Sequence, residues 1–152
     1  MGLTRFLKYW LPVVLMMAFI FWMSTATFSA ENTALIFEPL LRFLFRGISA
    51  QAVGLIHGVI RKGGHVAEYF VLGVLLFRAF RGGSAGRRTW QWVIFSIVVV
   101  IFYAASDEFH QSFIPTRTAS PVDVAIDSVG GMLAQVAGVL AHRRGLKQDL
   151  PE

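Results

Sequence analysis

The chain has 152 residues, 55% of them hydrophobic and 15% charged, with a mean hydropathy of +0.60. Soluble domains carry about 25% charged residues, so the composition excludes an ordinary soluble domain, and the length leaves no room for a soluble domain beside a membrane domain. The net charge of +5 comes without a nucleic-acid motif and reads as membrane topology and anionic-lipid contact, not nucleic acid, while the lack of cysteine excludes disulfides, thiolate metal sites and Cys nucleophiles.

Crossing the hydrocarbon core takes roughly 20 mostly apolar residues. Four stretches approach that, which predicts a single all-α membrane domain over residues 1–152. The first covers about 9–28, centred on "LPVVLMMAFIFWM". It has an alternative reading as a cleaved signal peptide, since Arg5 and Lys8 form a basic start and Ser24-Thr25-Ala26 resembles a small-residue cleavage site. Trp22 near its end favours a retained helix. Residues 31–62 hold two shorter apolar segments separated by Gly47, expected to lie as amphipathic helices on the outer membrane surface or to cap the bundle. Gly63-Gly64 is expected to mark a bend or a close approach. The remaining spans are expected at about 64–80, 90–107 and 121–141.

Orientation follows from the basic residues. Arg5 and Lys8, then Arg78, Arg81, Arg87 and Arg88, then Arg143, Arg144 and Lys147 account for nine of the fourteen. Arg42, Arg46, Arg61, Lys62 and Arg117 fall on the other side. The positive-inside rule predicts both termini in the cytoplasm, with Tyr9, Trp10, Trp90 and Trp92 in a cytoplasmic aromatic belt.

This orientation brings the ionisable residues of three helices to one depth on the outer side. His65, Glu68 and Tyr69 begin the second span, Asp107, Glu108, His110 and Gln111 end the third, and Asp123 and Asp127 begin the fourth. Ionisable residues inside a membrane are costly and mark candidate functional sites. His65 and Glu68 share a helix face, as do Asp123 and Asp127. Asp107, His110 and Gln111 fall on one side of a continued helix, whereas Glu108 is expected to point elsewhere, towards water. Plainer readings exist. "SPVD" is a good helix start, with Ser120 as N-cap and Asp123 as its capping-box acid. Residues 107–111 have the composition of an interfacial loop, and Arg117 that of a solvated loop charge or a clamp for a carboxylate or phosphate. His57 and His142 read as surface residues. Gly130, Ala134 and Gly138 form a small-residue stripe for close helix contact, widened by Gly131.

The segments "RKGGHVAEYFVLG" and "SDEFHQSFIPTRTASPVDVAIDSVGG", after a first helix ending in Ser/Thr, resemble the VanZ-like family of small bacterial integral membrane proteins, named for a glycopeptide-resistance accessory protein. The likeness spans roughly residues 10–140. Position by position it covers Lys62, His65, Glu68, Tyr69 and Leu72 in the first segment. In the second it covers Ser106, Asp107, Glu108, His110, Gln111, Phe113, Pro115, Arg117, Ser120, Asp123, Asp127 and Gly130. Relatives often carry Asn at the position of Asp127, which weakens a strict ligand role for its charge. The resemblance implies the bacterial cytoplasmic membrane, a link to the cell envelope and, for the naming member, reduced teicoplanin susceptibility, but no reaction.

Three functions remain open. As an enzyme, the chain would use Glu68, His65, Asp107 and His110 in acid–base catalysis. Arg117, Gln111, Tyr69, Asp123, Asp127 and Lys62 would bind a lipid-linked or peptidoglycan-related substrate. As a binding protein, it would hold a lipid headgroup, a wall precursor or a glycopeptide in the same cluster. As a structural protein, it would use the cluster as a clasp between helices. Two His and several carboxylates suit Zn²⁺ or a harder divalent ion, although the spacing matches no standard metal motif. No G-x-S-x-G nucleophile motif is present. A transporter is disfavoured because no inverted repeat is visible and the polar groups stop on one side, while the small-residue stripe leaves room for a homo-oligomer.

Overall fold

In the computed structural model, which describes residues 2–82 and 89–148, five α-helices follow one another without a strand among the described residues. They are α1 (Leu3–Met23), α2 (Ala30–Leu44), α3 (Ala50–Arg81), α4 (Thr89–Gln111) and α5 (Pro121–Gln148). A short 3-10 turn, Ala26–Phe28, joins α1 to α2. The helices α1, α3, α4 and α5 are long and apolar enough to cross a membrane. Arg87 and Arg88 of the expected basic loop lie outside the described residues, as does the side chain of Lys147.

The main departure from the expected elements lies at residues 49–64. The second surface helix and the second span are one helix of 32 residues. Ser49 starts it by accepting the Ala52 N–H at 3.2 Å. Gly63 and Gly64 are helical, and a Cβ at either would meet nothing within 4 Å, so they mark no close approach. A run of 32 helical residues is about 48 Å long, against a hydrocarbon core of about 30 Å. The N-terminal turns of α3 therefore project beyond the bundle, and α2 packs against them. His57, expected at the surface, is only 9% exposed there, with its Nε2 3.0 Å from Thr33 Oγ1 of α2.

The core is built on glycines. α3 and α5 run parallel with their small residues in register. A Cβ on Gly130 would lie 2.4 Å from the Val66 carbonyl oxygen, and one on Gly73 would lie 2.7 Å from Ala134 Cβ. Gly138 faces Phe77, and Gly131 faces Val100 of α4. The small-residue stripe is thus used inside the chain, against α3 and α4. Around this seam pack Val13, Ile20, Leu72, Leu76, Val100 and Ala104. Phe102, Trp90, Leu15 and Val136 are exposed on the outside, as expected of a bundle whose solvent is lipid. At the other end from the polar cluster, Trp92 packs edge-on against His142 with ring centroids 5.5 Å apart. His142 is therefore buried and not a surface residue.

Candidate functional site

A cavity of about 200 Å³ opens where α1 ends, α3 passes, α4 ends and α2 crosses above. Its polar lining is Ser24, Thr33, Arg61, His65, Glu68, Asp107, Gln111 and Arg117. Ile20, Met23, Phe28, Phe37 and Ile60 supply the apolar walls. Sixteen residues of helix separate His65 from Arg81, which places the cavity about 24 Å along α3 from the Arg81–His142 layer.

On α3, Arg61, His65 and Glu68 stand at i, i+4 and i+7, so one helix face presents all three to the cavity. Behind His65 stands Asp127 of α5, which has no exposed surface. His65 Nδ1 lies 3.2 Å from Asp127 Oδ1, within ion-pair distance. The Nδ1 atom is buried while the side chain as a whole is 22% exposed, so the rest of the ring faces the cavity. Among the described residues, Tyr69 Oη, Asp107 Oδ1 and Asp127 Oδ2 are also buried without a hydrogen-bond partner. Unpartnered buried polar atoms cost free energy, which makes this the least satisfied part of the bundle.

From α4, Asp107 and Gln111 reach the cavity, joined by a hydrogen bond from Gln111 Nε2 to Asp107 Oδ2 at 3.1 Å. His110 turns away, and its ring packs on Phe21 of α1 at 4.5 Å between centroids. Glu108 does not point to water. It is 5% exposed, and its Oε2 accepts the Ser120 N–H at 2.8 Å. The reason lies at the start of α5, where Ser120 Oγ accepts the Val122 N–H. Glu108 receives the backbone N–H of the cap residue, a role expected of Asp123 in a capping box. Asp123 instead pairs with Lys62 at 3.0 Å on the exposed flank.

Arg117 reaches back across the bundle. Its Nη2 donates to the carbonyls of Met23 and Thr25, and its Nε to that of Thr25. These carbonyls end α1, where a cation is favourable. Burial, and next the nearby Arg61 guanidinium, hold Arg117 below the usual guanidinium pKa; it stays charged. Arg61 Nη1 donates to the Phe28 carbonyl at 2.9 Å.

The sequence-derived set thus divides. Glu68, His65, Asp107, Gln111 and Arg117 line one cavity. Asp127 and Tyr69 lie buried behind it. His110, Lys62 and Asp123 lie outside its lining. Arg61, Ser24 and Thr33 were not foreseen. The i, i+4, i+7 spacing of Arg61, His65 and Glu68 carried the signal for Arg61, hidden by starting the helix at residue 64. Among the described residues, no three His, Asp or Glu side chains converge on a point that would hold a metal ion.

Fold and site together define a small helical membrane protein with a polar cavity sunk into one end of a four-span bundle. The chain belongs to the VanZ/LLP1 family, whose model matches residues 9–142. No curated protein and no solved structure matches it.

Proposed function

We propose that the chain acts on, or binds, the headgroup of a lipid-linked or peptidoglycan-related cell-envelope molecule in this cavity. The observation that carries the reading is the convergence of His65, Glu68, Asp107 and Arg117 on a space of about 200 Å³ with apolar walls. Pockets that enclose drug-sized molecules run to roughly 300–1,000 Å³, so the space suits a headgroup and not a whole wall precursor. Glu68 is the candidate acid or base, and His65, backed by Asp127, is its partner. In this reading both termini are cytoplasmic, the membrane is the bacterial inner membrane, and the cavity opens to the outside. Reduced teicoplanin susceptibility would follow from altering or covering an envelope target.

The test is mass spectrometry of lipids and wall precursors from cells carrying wild type or Glu68→Gln at equal membrane levels. A species that changes with wild type and not with the variant supports catalysis. Identical profiles, together with no binding of any envelope lipid by the purified protein, remove the proposal.

One observation favours a second reading, an interhelical clasp. The donors of Arg117 reach carbonyls at and just past the end of α1, and the Glu108 carboxylate holds the start of α5. Under that reading Arg117→Gln lowers the melting temperature and has no separate effect on the envelope.

A further inference from the structure

We propose that the cavity is a phosphate site, in which Arg61 and Arg117 together receive the phosphate of a lipid whose headgroup carries hydroxyls. The inference rests on the proposed envelope-lipid reading and names the ligand class. Two guanidiniums from different elements, α3 and the α4–α5 loop, line one small cavity. Bringing like charges together at a partly buried site is unfavourable; Glu68 and Asp107 in the same lining offset part of that cost, and a bound anion offsets more. Among the described residues, neither arginine forms an ion pair with an Asp or Glu.

Both are instead anchored on backbone carbonyls of the α1–α2 connection: Phe28 for Arg61, and Met23 and Thr25 for Arg117. Neutral carbonyls fix the guanidiniums in place without cancelling their charge. Each guanidinium has five N–H donors. These bonds use Nη1 of Arg61 and the Nε and Nη2 of Arg117, leaving donors on both. A phosphate, with several acceptor oxygens, matches two such forks better than a carboxylate does.

The remaining polar groups of the lining select the group attached to the phosphate. Glu68, Asp107 and Gln111 face the same space. Carboxylates repel a bare anion but accept hydrogen bonds from hydroxyls. A glycerol or sugar attached to the phosphate places donors there, whereas a choline does not. The apolar wall of Phe28, Phe37 and Ile60 suits the start of an acyl or prenyl chain. Next to it, α2 exposes Leu35, Ile36 and Phe43, as a helix bordering lipid does.

The full chain, purified in a maltoside detergent, is titrated by native mass spectrometry at fixed ionic strength with three probes: short-chain phosphatidylglycerol, short-chain phosphatidylcholine and glycerol phosphate. Phosphatidylglycerol is expected to bind at least tenfold more tightly than phosphatidylcholine. Arg61→Gln is expected to lose tenfold or more of that affinity. Arg61→Lys should lose less, and Arg42→Gln, which removes the same charge from exposed α2, should lose none. Glycerol phosphate that competes as well as the lipid upholds the phosphate site and assigns it to a soluble ester; weak competition assigns it to a lipid. Equal affinity for the two lipids in wild type overturns the proposal without any variant, as does full affinity in a folded Arg61→Gln protein. If that happens while a Glu68-dependent envelope species is still found, the phosphate site alone fails and the envelope reading stands.

Discussion

His65 on α3 and Asp127 on α5 approach to 3.2 Å between Nδ1 and Oδ1, with Asp127 fully enclosed. The contact joins two of the three polar helix faces. It also fixes which side of the imidazole faces the cavity, since the ring nitrogen held from behind is Nδ1. Asp127, grouped with the substrate-binding residues by its place in the sequence, stands one layer back.

This arrangement separates orientation from charge. An Asn side-chain oxygen at 127 can take the place of Asp127 Oδ1 beside His65 Nδ1, whereas an apolar side chain cannot. Asp127→Asn is expected to keep the envelope phenotype within about threefold, and Asp127→Leu to lose it tenfold or more, at equal membrane levels. Equal loss in both variants would mean that the negative charge, not the acceptor, is what matters.

Glu108 ties the end of α4 to the start of α5 by accepting the Ser120 N–H. Glu108→Ala should remove this bond and destabilise the fold by about 1–3 kcal/mol, the usual cost of stranding a buried donor. Glu108→Gln keeps an acceptor and should cost less. Thermal unfolding in detergent measures the difference, and amide exchange over residues 112–121 should accelerate in the alanine variant.

Gly130 has no room for a side chain, because its Cβ would fall 2.4 Å from a backbone carbonyl of α3. Gly130→Ala should force the parallel α3–α5 pair apart and destabilise by about 1–3 kcal/mol, the usual cost of overpacking a core. Gly64→Ala, where a Cβ would meet nothing, is the matched control. Melting temperatures of the two should differ clearly, and similar values would disprove the tight seam.

With no native cysteine, single cysteines report topology directly. Glu38→Cys on α2 should react with a membrane-impermeant maleimide on intact spheroplasts. Arg144→Cys, near the end of α5, should react only after lysis. The reverse pattern would invert the proposed orientation and put the cavity on the cytoplasmic side.

Much of the architecture was legible because hydropathy acts locally. Each apolar run is long enough to reveal its span, and the Gly130-Ala134-Gly138 spacing declared a packing face before any partner was known. The join between the second surface segment and the second span was not legible. Gly63-Gly64 and the polar pair Arg61-Lys62 look like a loop, yet the helix runs through them, with contacts from His57 to Thr33 of α2 and from Lys62 to Asp123 of α5 that local propensity does not record. That misplaced start also hid Arg61.

The candidate site shows the same division. Composition and period alone put His65, Glu68, Asp107 and Asp127 at one end of the bundle, because spans of known length and alternating direction leave their ends nowhere else to go. What each residue faces was decided by the tertiary structure. Glu108 turned inward because the Ser120 N–H needed an acceptor. Asp123 turned outward because Lys62 was within reach, and His110 packed on Phe21 and left the cavity lining. Depth in the membrane is a property of position along one helix and is written in the sequence. Facing is a relation between helices, set by the close approach that Gly73, Gly130 and Gly131 permit, and only the packed bundle determines it.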